Sequence, residues 1–384
     1  MRRVCFLFNH DQIHQVAHSL PIALRMVEQD GVEVTLAFGD RRLEEHVRTM
    51  AGVAFDRFRI ARLTLSSPSS ELLVRALEHW VPARKIALYR DNLEFFRTFD
   101  ALVVSEKTSL LLKTRYGLDG LQIIHTRHGA GDRAIGFNRQ SARFDLVLVS
   151  GRKIARRLVE DAGMDPARIR IVGYPKFDLY RDRHIASPFA GRRPVVLYAP
   201  HPSPKLSSYY RMGKPLIESI AASGRFNLIF APHVMLMQRR WTLTLSPPAL
   251  ARVPRPDPQS LASRSVLFDP GSPASADMSY TNLADIYVGD VSSQIYEFLL
   301  RPRPCLHLNA HGVEWQGNPD YAHWTTGPVI GPQDDILAGL DAAIATFPQY
   351  RPVQEALFAD TFDLGKEPAG LRAARAIMEH LDGR

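Results

Sequence analysis

The run from Ala284 to Leu300, ADIYVGDVSSQIYEFLL, constrains this chain more than any other stretch. Ile286, Tyr287 and Val288 are β-formers in an apolar run too short for a helix. Gly289-Asp290 ends the run. Ser292 or Ser293 can cap a helix, because a hydroxyl there accepts a hydrogen bond from an amide of the first turn. Ile295, Phe298 and Leu299 then recur at helical spacing and face a core. A strand that runs into a capped helix leaves free N–H groups and the positive end of a dipole at the top of a sheet, where a diphosphate fits. Glu297 lies four residues after Ser293 on the same helix face, and a carboxylate there can bond a ribose hydroxyl. The plainer reading of the same residues is an ordinary βα unit with a surface glutamate.

At 384 residues the chain can build two domains with cores of their own. An apolar content of 45% and a charged content of 23% are globular values. Cys5 and Cys305 each sit in an apolar, strand-like run and read as buried thiols of a reducing compartment. No window of about 18 uncharged apolar residues exists, so no spanning helix is expected. Met1-Arg2-Arg3 followed by Val4-Cys5-Phe6-Leu7-Phe8 is too short and too soon polar for a signal peptide. The expected location is the cytoplasm, either free or peripheral at the inner face of the membrane. A formal charge of +8 implies an anionic partner: nucleic acid, an anionic membrane surface or a phosphate-rich polymer. No helix-turn-helix, zinc-finger or RNP pattern is present, so nucleic acid is not the expected partner.

The N-terminal half alternates strands and helices. Val4–Phe8 is a strand. A polar turn then enters a helix carrying Val16, Leu20, Ile22, Ala23 and Met26, and 32–38 is the next strand. That opening starts a parallel doubly wound sheet, but no GxGxxG follows the first strand. His10, His14 and His18 are spaced by four and would align on one helix face. Metal binding is the sharp reading, cleft lining a milder one, and a plain surface helix the blandest; no carboxylate or Cys completes a shell, so no metal is expected. Residues 70–98 form a long helical pattern with Leu72, Leu73, Leu77, Trp80 and Val81, broken at Pro82. Lys85, Arg90 and Arg97 make its polar side basic. Such a helix can lie on an anionic membrane, or it is the solvated face of a packed helix.

The second informative stretch is Gln122 to Arg133, QIIHTRHGAGDR. An apolar strand runs into His128-Gly129, and the glycines Gly129 and Gly131 let the backbone turn sharply. A histidine at the carboxyl end of a parallel strand faces the crevice where α/β proteins bind ligands, and neutral imidazole can take a proton from a hydroxyl. His125 faces the core. Further strands end in Gly173-Tyr174-Pro175-Lys176-Phe177-Asp178, in Tyr198-Ala199-Pro200-His201 and in Ala231-Pro232-His233. The polar stretch 181–193 carries no apolar periodicity and reads as a domain boundary. Domains are expected at 1–185 and 186–350, with C-terminal helices at 351–384 packing back on the first. The loop 202–211 would touch ligand, and the loop 309–327, with Trp315 and Trp324, would cover it.

Taken together, these segments resemble the CDP-glycerol glycerophosphotransferase family, the teichoic-acid-type polymerases and primases. The likeness runs over roughly residues 100 to 310 and includes Arg301-Pro302-Arg303-Pro304 after the first stretch. It implies an α/β fold of the GT-B class, two Rossmann-like domains facing a central cleft. It implies transfer of glycerol phosphate, or a related alditol phosphate, from a CDP-activated donor to a hydroxyl of a cell-envelope glycan or lipid-linked acceptor, with release of CMP. His128 would be the catalytic base, supported by Arg127, Gly129 and Gly131. His233 would bind the donor diphosphate and stabilise leaving CMP, with Pro232, His201, Tyr198, Asp290, Ser292 and Ser293 around the nucleotide, Asp290 fixing the turn there and Glu297 on the ribose. No cofactor and no metal are implied. Arg127, Val291 and Ala231 stand where the family has Trp, Tyr and Lys, and His201 where it has Thr; Arg239 or Arg240 could replace the missing cation. A GT-B glycosyltransferase using a nucleotide-sugar in capsule or lipopolysaccharide synthesis, and a non-enzymatic anion-binding protein, are the alternatives.

Overall fold

A computed structural model describes residues 1–10, 12–66, 70–71, 74, 83–238, 240–245 and 248–383. The expected helical positions Leu72, Leu73, Leu77, Trp80, Val81 and Pro82, and the cation candidate Arg239, lie outside the described residues. The chain divides into two compact units. The first comprises Met1–Gly129, Phe137–Leu179 and Asp360–Arg384; the second comprises Ala130–Gly136 and Tyr180–Ala359.

The first unit is built on seven parallel strands: β1 (Arg2–Phe8), β2 (Val32–Phe38), β3 (Arg59–Arg62), β4 (Ala101–Val104), β5 (Gln122–His125), β6 (Leu146–Val149) and β7 (Ile169–Ile171). Their order is β3-β2-β1-β4-β5-β6-β7. Parallel strands are covered on both faces and so read as nearly unbroken apolar runs. ALVV in β4 and LVLV in β6 are buried throughout. Alternate residues feed two cores: Val4, Phe6 and Phe8 enter one, Cys5 and Leu7 the other. The expected face of His10, His14 and His18 does not form. His10 precedes the helix, and Ile13–His18 is a 3-10 helix, whose period of three takes residues four apart off one face. His18 is instead buried against the Tyr174 ring.

Two C-terminal features belong to this unit. The helix Ala369–Leu381 packs on the helix Leu20–Met26, and Gly370 permits it: a Cβ there would lie 2.6 Å from the Pro21 carbonyl oxygen. Asp178, last residue of the Gly-x-Pro-x-x-Asp segment, caps that helix by accepting from the amides of Ala369 (3.0 Å) and Gly370 (2.7 Å). Tyr174 and Phe177 pack with Phe362. That motif therefore anchors the chain's end.

The second unit has six parallel strands: β8 (Val195–Tyr198), β9 (Asn227–Phe230), β12 (Val266–Phe268), β13 (Ile286–Gly289), β14 (Cys305–Leu308) and β15 (Val329–Ile330), in the order β12-β9-β8-β13-β14-β15. Between β9 and β12 the chain forms a separate antiparallel hairpin, β10 (Trp241–Leu245) and β11 (Pro248–Arg252). The helix Ile336–Thr361 carries Pro348 and Pro352 inside it. Both prolines are exposed. No described helix is long and apolar enough to cross a membrane.

Candidate functional site

In open parallel sheets ligands collect at the carboxyl ends of the strands where strand order reverses. In the first unit that point lies between β1 and β4; in the second it lies between β8 and β13.

At the first, the residues after β1, β4 and β5 meet. His10 follows β1, is buried, and lies 3.3 Å from the Ser105 hydroxyl. His128 follows β5, and its Nδ1 is 2.6 Å from the Ser105 carbonyl oxygen. A carbonyl only accepts, so Nδ1 carries the proton and Nε2 is left with a lone pair. His128 is exposed at the surface of this unit. Desolvation lowers its pKa below the usual imidazole value; the Ser105 bond opposes this and the Arg127 guanidinium adds to it. The ring is thus neutral near pH 7. The turn that presents it is tight: Arg127 has φ 37° and Gly129 φ 76°, both left-handed. Arg127 sits 4.5 Å over the Phe137 ring, which Arg157 also covers at 4.2 Å. His125 is buried and stacked on Phe144 at 4.4 Å.

At the second switch point, loops after β8, β9 and β13 meet the segment Ala130–Gly136. Asp290 is 1% exposed, and desolvation raises its pKa against the bonds it accepts. Its carboxylate accepts from the amides of His201 (3.0 Å), Val291 (2.7 Å) and Ser208 (2.7 Å) and from the Ser208 hydroxyl (2.9 Å). Asp290 therefore ties the β13 turn to the β8 loop and has no lone pair left over for a ligand. Tyr198 is likewise structural: it is fully buried, its hydroxyl pairs with Ser208 at 2.9 Å, and burial holds its pKa well above the phenol value. The loop 202–211 folds inward on these bonds, with Ser207 and Ser208 buried.

The groups that are only partly enclosed are different. His201 Nδ1 accepts from the Ser203 amide at 3.0 Å, so Nε2 bears the single proton of a neutral ring. Arg133 Nη1 lies 3.2 Å from that same Nε2. Both atoms then present N–H groups, and an anionic oxygen would relieve the conflict by accepting from both. Burial, then Arg133 and His233, hold the His201 pKa far below the usual value. His233 follows the buried Pro232 at the tip of β9. Its Nδ1 accepts from the Met235 amide at 3.3 Å, leaving Nε2–H as a donor, and burial lowers its pKa to about 4. Ser293 is exposed and Ser292 half-buried. The helix after them, Gln294–Phe298, has 5 residues, and Ser293 makes no side-chain cap bond. The serine turn offers hydroxyls and amides, with little macrodipole behind it. Glu297 is 6% exposed and close enough to Tyr287 to raise its phenol pKa, after desolvation and Asp290. Arg240 is exposed near the hairpin.

Some residues of this site lack a sequence signal. Gly131 comes so close to the serine turn that a Cβ would lie 3.2 Å from Ser293 Cβ. Asp132, buried, accepts from the Tyr296 hydroxyl at 2.5 Å and meets His323 Nδ1 at 2.8 Å. His323 Nε2 and Trp324 Nε1 both donate to the Asp290 carbonyl at 2.8 Å. Trp324 is therefore buried under the turn. Among the described residues, no group of three or more His, Cys, Asp or Glu could hold a metal ion.

No family model matches the chain, and no curated protein matches it. Solved structures do. All of this chain aligns with the wall teichoic acid polymerase TagF at 14% identity and a TM-score of 0.60, covering 89% of that chain. All of it aligns with a UDP-N-acetylglucosamine 2-epimerase at 10% identity and a TM-score of 0.60, covering 97% of that chain. A glycosyltransferase from Rickettsia africae ESF-5 aligns over 99% of this chain and 98% of its own, at 11% identity and a TM-score of 0.51. At such identities the likeness concerns the fold, which is α/β of the GT-B class with two parallel sheets.

Proposed function

We propose that this chain is a transferase that moves glycerol phosphate, or a related alditol phosphate, from a CDP-activated donor to a hydroxyl of a cell-envelope glycan or lipid-linked acceptor. The observation that carries the reading is the set of N–H donors at the second switch point. His201 Nε2–H and the Arg133 guanidinium, both donors, approach each other at 3.2 Å. His233 offers a further N–H and Ser293 an exposed hydroxyl. A diphosphate supplies the oxygens that such a group requires.

In this reading the acceptor hydroxyl attacks the phosphorus of the alditol phosphate. The new O–P bond forms, the bridging P–O bond breaks, and CMP departs with the bridging oxygen. The hydroxyl proton goes to Nε2 of His128, whose tautomer the Ser105 carbonyl fixes. His233 and Arg133 stabilise charge on the departing CMP. Ser292 and Ser293 hold the diphosphate, and Glu297 takes the ribose through the small part of it that stays accessible. Positioning and charge stabilisation are the main demands of phosphoryl transfer. The polyanionic or lipid-linked acceptor places the enzyme in contact with the anionic inner face of the membrane.

The UDP-N-acetylglucosamine 2-epimerase aligns as well as TagF does, with the same TM-score of 0.60, and this favours one second reading: a glycosyltransferase using a nucleotide-sugar. Calorimetry with CDP-glycerol, CDP-ribitol, UDP-sugars and CMP separates the two. Tight binding of CMP and a CDP-alditol, with weak UDP-sugar binding, is expected. The reverse ranking would overturn the donor assignment.

A further inference from the structure

The hairpin β10–β11 belongs to neither parallel sheet. Its ladder pairs Trp241 with Arg252 and Leu243 with Leu250. Residues opposite each other, and residues two apart, share a face. One face therefore carries Trp241, Leu243 and Leu250, which are 57%, 66% and 66% exposed. The alternate residues Thr242, Ala249 and Ala251 are half-buried, so the other face is turned toward the protein. Arg240, Arg252 and Arg255 line a cavity of about 510 Å³ beside this face. All three are exposed, and none pairs with a carboxylate among the described residues.

The basic helical region 83–97 makes the contrast plain. There Arg90 is paired with Asp91 and Arg97 with Glu94, while Ala83, Ala87 and Leu88 are buried. Two of its cations are thus already paired, and its apolar side is packed. The hairpin combines an uncovered apolar face, an aromatic residue of the type that settles at the bilayer interface, and guanidiniums free to reach phosphates.

We propose that the outer face of this hairpin docks on an anionic lipid surface, with Trp241, Leu243 and Leu250 entering the headgroup boundary and Arg252 and Arg255 meeting lipid phosphates. The insertion is shallow. A two-stranded sheet has open backbone edges that need water, which the headgroup region supplies and the hydrocarbon core does not. A protein partner would have to bring carboxylates for the same guanidiniums. The proposal rests on the membrane-bound acceptor above for its purpose, but not for its physics.

The test is co-sedimentation of the full chain, without nucleotide, with vesicles of phosphatidylcholine alone or mixed with phosphatidylglycerol. Binding to the mixed vesicles only, weakened by salt, is expected. The double variant Leu243→Glu/Leu250→Glu should lose at least roughly tenfold in partitioning. Arg252→Gln and Arg255→Gln should each lose about fivefold. Trp241 fluorescence should shift to the blue on binding, and Trp241→Phe should remove that change. Calorimetry of CDP-glycerol with the double variant reads the donor site separately, so loss of one activity is distinguishable from loss of the other. The proposal is overturned if the wild type ignores anionic vesicles, if the double variant binds them unchanged, or if light scattering shows that the double variant converts a dimer to a monomer, which would make the face a contact between copies.

Discussion

His128 and His233 end comparable strands in different sheets, and the backbone fixes their rings in opposite senses. Nδ1 of His128 donates to a carbonyl; Nδ1 of His233 accepts from an amide. Both rings are held neutral by desolvation. The first therefore presents a lone pair at Nε2, and the second an N–H. One main-chain atom at each site, Ser105 O or Met235 N, decides whether an imidazole can serve as a base or as a donor. The lesson is that residue type and strand position are not enough to assign a histidine its task; the partner of the far nitrogen is.

The comparison is broken most severely at His128. His128→Ala should lower the turnover rate by about 10²- to 10⁴-fold while leaving donor affinity unchanged, because a base contributes in the transition state. His128→Gln should rescue nothing, since an amide cannot take the proton. His233→Ala should cost about 10²- to 10³-fold. Here His233→Gln should recover part of the rate, because its amide N–H can still donate. Single-turnover release of CMP measures both. Rescue by Gln at position 128, or its absence at 233, would reverse the assignment.

Acid should separate the two next. A lowered pKa keeps His128 in its base form near pH 7, so kcat/KM should fall as pH drops through a value below 6.5. His233, at about 4, titrates beneath that limb. The same shifts act on stability. His10 has its pKa lowered to about 3 by burial, then by Lys85 and His128. Between about pH 6.5 and the folded values, the unfolded chain binds protons that the buried rings refuse. Stability is therefore full above the unfolded pKa and is lost as pH falls. The slope should approach about 1.4 kcal/mol per pH unit for His10 alone. Urea denaturation at about pH 7, 6 and 5 reads it, and His10→Gln should reduce it by that share without moving the acid limb of kcat/KM by more than a few tenths.

Much of the fold is legible because parallel strands are covered on both faces. VVLY in β8, NLIF in β9 and CLHL in β14 are apolar runs that end in turn residues, and each is a buried strand. The strands that escape are those without such a run. β15 has 2 residues and β12 has 3, while β3 places two apolar residues between arginines. The hairpin is the exception, since Trp241-Thr242-Leu243-Thr244-Leu245 alternates with period two, a strand signal in its own right. At the site, His128, His201 and His233 were visible as strand tips. Tyr198 and Asp290 share the same motifs but turn inward, because a hydroxyl and a carboxylate in the core must be satisfied there by Ser208. Asp132, His323 and Trp324 could not be found from spacing. Their partner is the Asp290 turn, far away in sequence, and the 3-10 segment Pro319–Thr326 has no apolar period.

The smallest effect expected concerns backbone alone and so isolates the donor side of the comparison. Gly131 has no Cβ, and one would lie 3.2 Å from Ser293 Cβ, tighter than ordinary contact. Gly131→Ala should push the serine turn by a few tenths of an ångström and weaken CMP binding about threefold, roughly 0.7 kcal/mol. Because Ser293 is exposed, the turn can give, and thermal stability should change little. Ser293→Gly in the same background removes the colliding atom but also the hydroxyl. If close backbone approach is what matters, that double variant should bind CMP no worse than Ser293→Gly alone. If the hydroxyl alone matters, Gly131→Ala should have no effect by itself. In neither variant should the acid limb assigned to His128 move, because its tautomer is set by Ser105 on the other sheet. A shift of that limb by Gly131→Ala would mean that the two histidines are not independently fixed, and the contrast between them would fail.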